Sequence, residues 1–431
     1  MRRSFFLINL ILISIGNLFA QNGSYSEIDR MADQLESQVI AWRRDFHQYP
    51  ELSNREFKTA EKVAAHLKSL GLEVRTGVAV TGVVGILRTG KPGPTIALRA
   101  DMDGLPVTER TPVPFASRVR DTYLDTDVGV MHACGHDTHT AMLMGAASVL
   151  TKMKNQLKGT VVFLFQPAEE GAPPGEKGGA GFMVEEGVLD NPKAEVVFGL
   201  HINAQTEVGM IRFKPGGTMA AADKFTIKVK GKQTHGSTPW TGIDPITVAA
   251  QIIQGLQMIV ARQSDLTKEP AVISVGKITG GVRHNIIPEE VEMIGTIRTL
   301  DSGMQDLIHE KIKQTATNIA EASGATAIVD IERGVPVTFN SLELTQAMGP
   351  TMKRVAGEDN VVLTRAITGS EDFSFFANKV PGLFLFLGGM PKGKNPMEAA
   401  PHHTPDFYID DSGMKLGVRL LCNLTVDYMN K

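Results

Sequence analysis

The sequence predicts an α/β fold, a mixed, mostly parallel sheet covered by helices, interrupted by an inserted βαββαβ unit of ferredoxin-like type. Three observations carry this expectation. Short, continuously apolar runs bounded by turns recur on both sides of the chain's middle and suit strands buried on both faces. Apolar residues at three- and four-residue steps mark amphipathic helices among them. Between Asp223 and Ile331 the pattern changes to strands and two helices in the order βαββαβ. With 431 residues, 42% of them hydrophobic and 21% charged, the chain has material for two or three domains with full cores. A small disulfide- or metal-stapled scaffold is thereby excluded, and 44 basic against 47 acidic residues, for a net charge of -3, leave no electrostatic footprint for nucleic acid.

The elements follow in order. MRRSFFLINLILISIGNLFA sets Arg2 and Arg3 before an apolar run from Phe5 to Ile15 and ends on the small residue Ala20. This is the grammar of an export signal cleaved after Ala20, since the run is short of the roughly 20 residues that span a bilayer. The expectation is a secreted or periplasmic chain, with no membrane contact after cleavage. Ile28, Met31, Leu35, Val39, Trp42 and Phe46 then mark one helix, and Phe57, Ala60, Val63, Ala64, Leu67 and Leu70 a second that stops at Gly71. Buried strands are expected at Gly82 (GVVGIL), Thr95 (TIALRA), Val161 (VVFLF), Val196 (VVFGL) and Leu383 (LFLFLG), with a covering helix over 138–153. Because the last of these strands lies beyond the βαββαβ unit, that unit reads as an insertion. The expected boundaries are a signal over 1–20, the larger α/β domain over 21–218 and 333–431, and the inserted domain over 219–332.

In open α/β sheets ligands gather at the carboxyl ends of strands, and here those ends are chemically crowded. TIALRA runs into Asp101 and Asp103, VVFLF into Glu169 and Glu170, VVFGL into His201, and the strand from Leu383 into a loop with His402 and His403. MHACGHDTHT adds His132, Cys134, His136, Asp137 and His139 just before a helix. Six of the eleven histidines sit in these segments. Imidazoles, carboxylates and one thiol converging on one sheet edge suit Zn²⁺ or another borderline divalent ion. Spacing leaves open which of His132, His136 and His139 bind, and Cys134 as a redox sensor or thiol nucleophile stands as an alternative with nothing basic beside it except histidines. A bridge between Cys134 and Cys422, the two cysteines, is a further formal option. Successive residues after a strand point opposite ways, so one of Glu169 and Glu170 can hold an ion while the other handles a proton, as metal-assisted hydrolysis needs.

Taken together, LRADMDGLP, MHACGHDTHT, QPAEEG, GLHI, GKQTHGSTPWTGIDP, GGVRHNIIP, TGSEDFSFF and HHTPDF, in this order, resemble the M20 metallopeptidase family. Within it they resemble the amidohydrolase branch of hippurate hydrolases, N-acyl-amino-acid and N-acetyl-diaminopimelate deacylases and auxin-conjugate hydrolases. The resemblance runs from about Ile28 to Tyr428. It implies a catalytic domain with two divalent ions (Zn, Mn, Co or Ni) and an inserted lid domain through which two copies of the chain can pair. By motif, Cys134, His136, Glu170, His201 and His403 match the family's metal ligands, Glu169 its general base, and Asp103 the acid that orients a metal-bound histidine. His235 and Asn285 match residues that contact the substrate's carboxylate or the developing oxyanion. His132, His139 and His402 have no counterpart, and His284 departs from the family's usual apolar or aromatic residue.

The expected activity is hydrolysis of the amide of a small-molecule N-acyl amino acid by a metal-activated water, with Glu169 as base. A dipeptidase or aminoacylase of the same chemistry is the nearest alternative. A metal-dependent binding protein without turnover is the other, against which Glu169 argues, because holding an ion requires no additional carboxylate.

Overall fold

The computed structural model describes residues 23–431, so the export signal expected over 1–20 lies outside the described residues. Two compact units are present. The first takes the chain as far as Phe213 together with Asn340–Thr364 and Phe376–Lys431; the second takes Lys214–Phe339 and Arg365–Phe375. Among the described residues no helix is long and apolar enough to cross a membrane.

The first unit is built on an eight-stranded sheet. Its strands are β1 (Glu73–Val78), β2 (Gly82–Arg88), β3 (Thr95–Asp101), β4 (Thr160–Gln166), β5 (Val196–Glu207), β6 (Ile211–Phe213), β7 (Val361–Leu363) and β8 (Gly382–Met390), in the order β1-β2-β4-β3-β5-β8-β6-β7. The central four, β4, β3, β5 and β8, are mutually parallel, while β1, β2 and β6 join by antiparallel pairing. The mixed, mostly parallel sheet is thus present as the apolar runs predict. Every residue of β8 is buried, and β3 and β4 are buried from their second residue on. Parallel register brings the carboxyl ends of these strands to one edge. Asp101 lies opposite Gln166, and Leu98 opposite Phe198, so that His201 comes level with the end of β3. β5 does not stop at His201; it continues to Glu207, paired with β8 as far as Met390.

Helices α2 (Phe57–Ser69), α3 (His136–Lys152), α4 (Leu342–Ala356), α5 (Met414–Met429) and the short helix Gly179–Glu185 pack on the sheet, and α1 (Arg2–Gln48, whose described part begins at Gly23) lies on α3 and α5. From His136 to Leu150 α3 is buried throughout, because α1 and α5 pack over it as well as the sheet. Gly145 permits this approach, since a Cβ there would stand 2.9 Å from Val418 Cγ2 and 3.0 Å from Val39 Cγ2. Cys134 and Cys422 are both buried and both free.

The second unit realises βαββαβ. Strands Ala221–Lys230, Ala271–Gly280, Glu290–Thr299 and Thr326–Val335 form one antiparallel sheet, with helices Pro245–Met258 and Ser302–Ala322. Asp244 and Asp301 cap these helices, their side chains accepting from the N–H groups of Ile246 and Met304, the usual role of Asp at an N-cap. Phe225, Ile227, Ile252, Leu256, Met293 and Ile308 belong to a core of the unit's own. The segment Arg365–Phe375 also joins this unit, although its sequence reads as part of the later stretch over 333–431. Backbone bonds from Ala220 N–H to the carbonyls of Ile367 (3.0 Å) and Gly369 (2.9 Å) hold it there, and such long-range bonds leave no periodic trace in a sequence.

Candidate metal centre

The turn that opens α3 sets the centre. Gly135 has φ of 96°, and a Cβ on it would lie 2.3 Å from Ile202 Cγ2. Only glycine fits a left-handed position pressed so closely on β5. It turns the chain between Cys134 and His136 so that both face the sheet edge where β4 delivers Glu169 and Glu170 and β5 delivers His201.

Cys134 Sγ lies 3.3 Å from His201 Nε2 and 3.3 Å from His403 Nε2. His403 Nε2 in turn lies 3.0 Å from Glu170 Oε1, and His136 Nε2 lies 3.8 Å from Glu169 Oε2 and 4.0 Å from Glu170 Oε1. Overlapping sets of donor atoms result, among them Cys134 with His136 and His201, Cys134 with Glu170 and His403, and His136 with Glu169 and Glu170. His403 reaches the cluster through a left-handed backbone, φ 63°, fixed by its N–H donating to the Ala133 carbonyl at 2.8 Å.

The donors fit divalent ions. His136 Nε2 is buried with no hydrogen-bond partner, while its Nδ1 is held 3.1 Å from Asp103 Oδ1. A carboxylate that fixes one ring nitrogen and so frees the other for a cation is the usual support of a metal-binding histidine. Asp103 Oδ2 also accepts from Ser53 Oγ at 2.8 Å and from the Glu170 N–H at 3.0 Å, so one carboxylate orients two members of the cluster. Burial opposes ionisation of Asp103, but the hydrogen bond and charge of His136 outweigh it and hold the carboxyl below its ordinary range. Burial likewise opposes protonation of His136, yet Asp101, Asp103 and Glu170 push it up to about 10. So much negative charge around one imidazole marks a place built to receive positive charge.

The three histidines of MHACGHDTHT separate by their partners. His139 Nδ1 bonds Asp101 Oδ1 at 2.6 Å and its Nε2 accepts from the Ile202 N–H at 2.8 Å, which uses both ring nitrogens. Asp101 Oδ2 is taken by Arg99 Nη1 at 2.7 Å. His139 therefore ties β3 to β5, with both ring nitrogens committed to protein partners. His132 is buried with neither ring nitrogen bonded, and burial lowers it to about 4. His402 accepts from the Ala204 N–H at 3.2 Å and lies 3.8 Å from Cys134 Sγ, and burial, then the charges of His403 and His139, lower it to about 3. Burial and the carboxylates of Glu170, Glu169 and Asp101 raise the Cys134 thiol well above its usual range, which leaves it a poor nucleophile unless a cation takes the place of its proton.

His235 and Asn285 belong to the second unit, where a short ladder pairs His235 with Ile286. The Gly236 N–H donates to the Asn285 carbonyl at 2.8 Å, which makes the two residues neighbours. His235 is exposed with Nδ1 2.7 Å from Ser237 Oγ, Asn285 Oδ1 is buried without a partner, and His284 is exposed.

Two features escaped the sequence reading. Glu56, at the start of α2 and fully buried, accepts from the Ala168 N–H at 2.8 Å and from Thr81 Oγ1 at 2.5 Å. Ala168 has φ of 51°, so Glu56 and Asp103 hold the N–H groups on either side of Glu169 in a tight turn. Behind the cluster, Asp137 Oδ2 takes Arg43 Nε and His47 Nδ1, each at 2.8 Å, pinning α1 to the first turn of α3. Arg43 and His47 stand four apart on one face of α1, a trace visible in WRRDFH only once its partner is known.

Residues 97–427 match the family model described as Peptidase family M20/M25/M40. The chain is 42% identical over 400 residues to thermostable carboxypeptidase 1 of Saccharolobus solfataricus, covering 92% of this chain and 97% of that protein. It is 38% identical over 395 residues to IAA-amino acid hydrolase ILR1-like 4 of Arabidopsis thaliana, covering 91% and 86%. A crystal structure described as a dinuclear metal-binding peptidase from the M20 family of Bacillus subtilis superposes with a TM-score of 0.77 at 34% identity, covering 92% of this chain and 99% of that one. With that family model spanning most of the sequence and a donor cluster suited to divalent ions at the sheet edge, the chain belongs to peptidase family M20/M25/M40 and is a metal-dependent hydrolytic enzyme.

Proposed function

We propose that the protein cleaves the amide bond of N-acyl amino acids, releasing a carboxylic acid and the free amino acid. The carrying observation is the carboxylate pair after β4: Glu170 meets His403 at 3.0 Å, while Glu169 faces His136 Nε2 at 3.8 Å and adds a carboxylate beyond the donors in the Cys134 sets. Two divalent ions held by Cys134, His136, Glu170, His201 and His403 would supply Lewis acidity to the scissile carbonyl and to the attacking water. Glu169 accepts a proton as the water attacks and returns it to the leaving nitrogen. Asp103 keeps the His136 ring turned and the Glu170 backbone fixed. His235 and Asn285 serve as donors to the substrate's carboxylate or to the oxyanion. The Arabidopsis relative, named for IAA-amino acids, supports the acyl-amino-acid reading. The Saccharolobus relative, named a carboxypeptidase, favours a second one, removal of a C-terminal residue from peptides by the same chemistry.

A hydrolysis screen over N-acetyl, N-benzoyl and long-chain acyl amino acids against dipeptides, with Zn²⁺, Mn²⁺, Co²⁺ or Ni²⁺ supplied, tests both. Acyl amino acids should turn over fastest, chelation should abolish the activity and added metal should restore it. Faster turnover of dipeptides would transfer the assignment to the second reading, and full activity in a sample shown metal-free by elemental analysis would sink both. Export of a soluble chain beginning near Gln21, into periplasm or medium, and pairing of two copies through the second unit complete the proposal. N-terminal sequencing of the exported product and light scattering check them.

A further inference from the structure

Glu56 stands at the head of α2, yet its side chain gives that helix no cap. The N–H groups of Lys58 and Thr59 are taken instead by the Glu51 carboxylate, at 3.2 and 2.8 Å, the service a side-chain oxygen ordinarily gives a helix start. The Glu56 carboxyl turns inward, where it is fully buried and accepts from the Ala168 N–H and from Thr81 Oγ1. Burying a carboxyl against neutral partners is costly, and Glu51 already meets the need of the helix. What Glu56 serves lies at Ala168.

Ala168 has φ of 51°, a left-handed conformation that persists in an alanine only where its surroundings impose it. Here they do. Its Cβ would stand 3.1 Å from a Cβ on Gly178, its carbonyl accepts from the Gly171 N–H at 3.3 Å to close the turn, and its own N–H is held by Glu56 at 2.8 Å. On the far side of Glu169, the Glu170 N–H is held by Asp103 at 3.0 Å. The peptide units before Ala168 and after Glu169 are thus each pinned by a buried carboxyl group. Ser53 and Asn54 brace the same turn from the same segment, Ser53 Oγ donating to Asp103 at 2.8 Å and Asn54 Nδ2 to the Lys177 carbonyl at 2.9 Å. The two pins differ in one respect. Asp103 also bonds His136, so its loss would disturb a metal-binding histidine, whereas the bonds of Glu56 to Ala168 and Thr81 involve none of the metal donors.

We propose that Glu56 is a positioning residue of the reaction: through the Ala168 N–H it fixes the backbone from which the Glu169 carboxylate meets the attacking water. The inference rests on the reading of Glu169 as general base. A base acts only within hydrogen-bond reach of its proton, and a reacting group misplaced by about 1 Å can lose about 10² in rate. Glu56→Ala should therefore lower kcat by about 10- to 100-fold, with KM and metal content held near wild type. Turnover is expressed per folded, metal-loaded molecule, so that lost stability does not enter the comparison. In Glu56→Gln the amide oxygen can still accept from Ala168 and the amide nitrogen can donate to Thr81, so this variant should recover what alanine loses.

A double-mutant cycle decides. Added to Glu169→Gln, Glu56→Ala should change the remaining turnover by no more than about twofold, because a residue that acts through the base has nothing left to act on. Hydrogen exchange of the metal-loaded full chain gives a readout that needs no turnover: the amides of Ala168 and Glu169 should lose protection in Glu56→Ala and keep it in Glu56→Gln. If alanine prevents folding, Glu56→Asp, whose carboxyl is one methylene short of Ala168, takes its place in both measurements. A further loss of about 10-fold or more in the Glu169→Gln background, a rise in KM or a loss of metal that accounts for the drop, or unchanged exchange overturns the inference. Wild-type turnover in Glu169→Gln alone would instead remove the reading of Glu169 as base, and with it anything for Glu56 to position.

Discussion

Glu169 and Glu170 are neighbours of one residue type with different surroundings, and that difference fixes what each substitution should do. Glu170 has its N–H on Asp103 and its carboxylate at His403; Glu170→Gln should lower metal content. Glu169→Gln should retain metal by elemental analysis while turnover falls by roughly 10²–10⁴, the range for loss of a general acid or base. Identical behaviour of the two variants would refute the division of roles. Glu56 offers a different readout. Burial first, then the Asp103 charge, raise its carboxyl to about 8 against 4.5 for an ordinary glutamate, despite the opposing bonds from Thr81 and Ala168. Between those values the folded chain keeps a proton that the unfolded chain has released. The contribution of Glu56 to stability is therefore full below about 4.5 and is lost as the pH rises towards about 8. Glu56→Gln does not titrate, so in chelator-treated protein the stability of wild type relative to the variant should decline across that window, as read by denaturant unfolding. A difference independent of pH would show that Glu56 is ionised in the fold at its ordinary value.

At the scale of elements, strands with a strong apolar signal were legible and weak ones were not. β3, β4 and β8 are buried on both faces and read as unbroken apolar runs; β1 has only exposed and half-buried residues, and β6 and β7 are three-residue pieces that the sheet recruits rather than the sequence announces. The βαββαβ order of the second unit was legible because its strands and helices bury one face each and change period where they change type. The donor cluster was legible as a set of residue types because β3, β4 and β5 are parallel and in register, which sets His201 level with the carboxyl ends of β3 and β4. Its division of labour was not legible from spacing and came only from the motif resemblance. His136 and His139 sit three apart in one helix, and the partners of their ring nitrogens, Asp103 for one and Asp101 with the Ile202 N–H for the other, give the physical difference between a candidate ligand and a structural tie. Glu56 left no signal at all, since its contact with Ala168 spans 112 positions of chain.

For the whole molecule, the distribution of the donors has a thermodynamic consequence. Cys134, His136, Glu170, His201 and His403 all belong to the first unit, which has its own large core, while the second unit is organised around a separate one. A ligand that binds only the native state stabilises what it binds, by about 4 kcal/mol when present at about 1,000 times its Kd. Divalent ions should therefore raise the unfolding temperature of the first unit and leave the second where it is. Differential scanning calorimetry should resolve two transitions, with chelation lowering one and sparing the other. His201→Ala should reproduce the chelated profile and should no longer respond to added metal, because a lost donor cannot be titrated back. A single transition that moves as a whole on chelation would mean that the two cores unfold together and that the ions stabilise the entire chain.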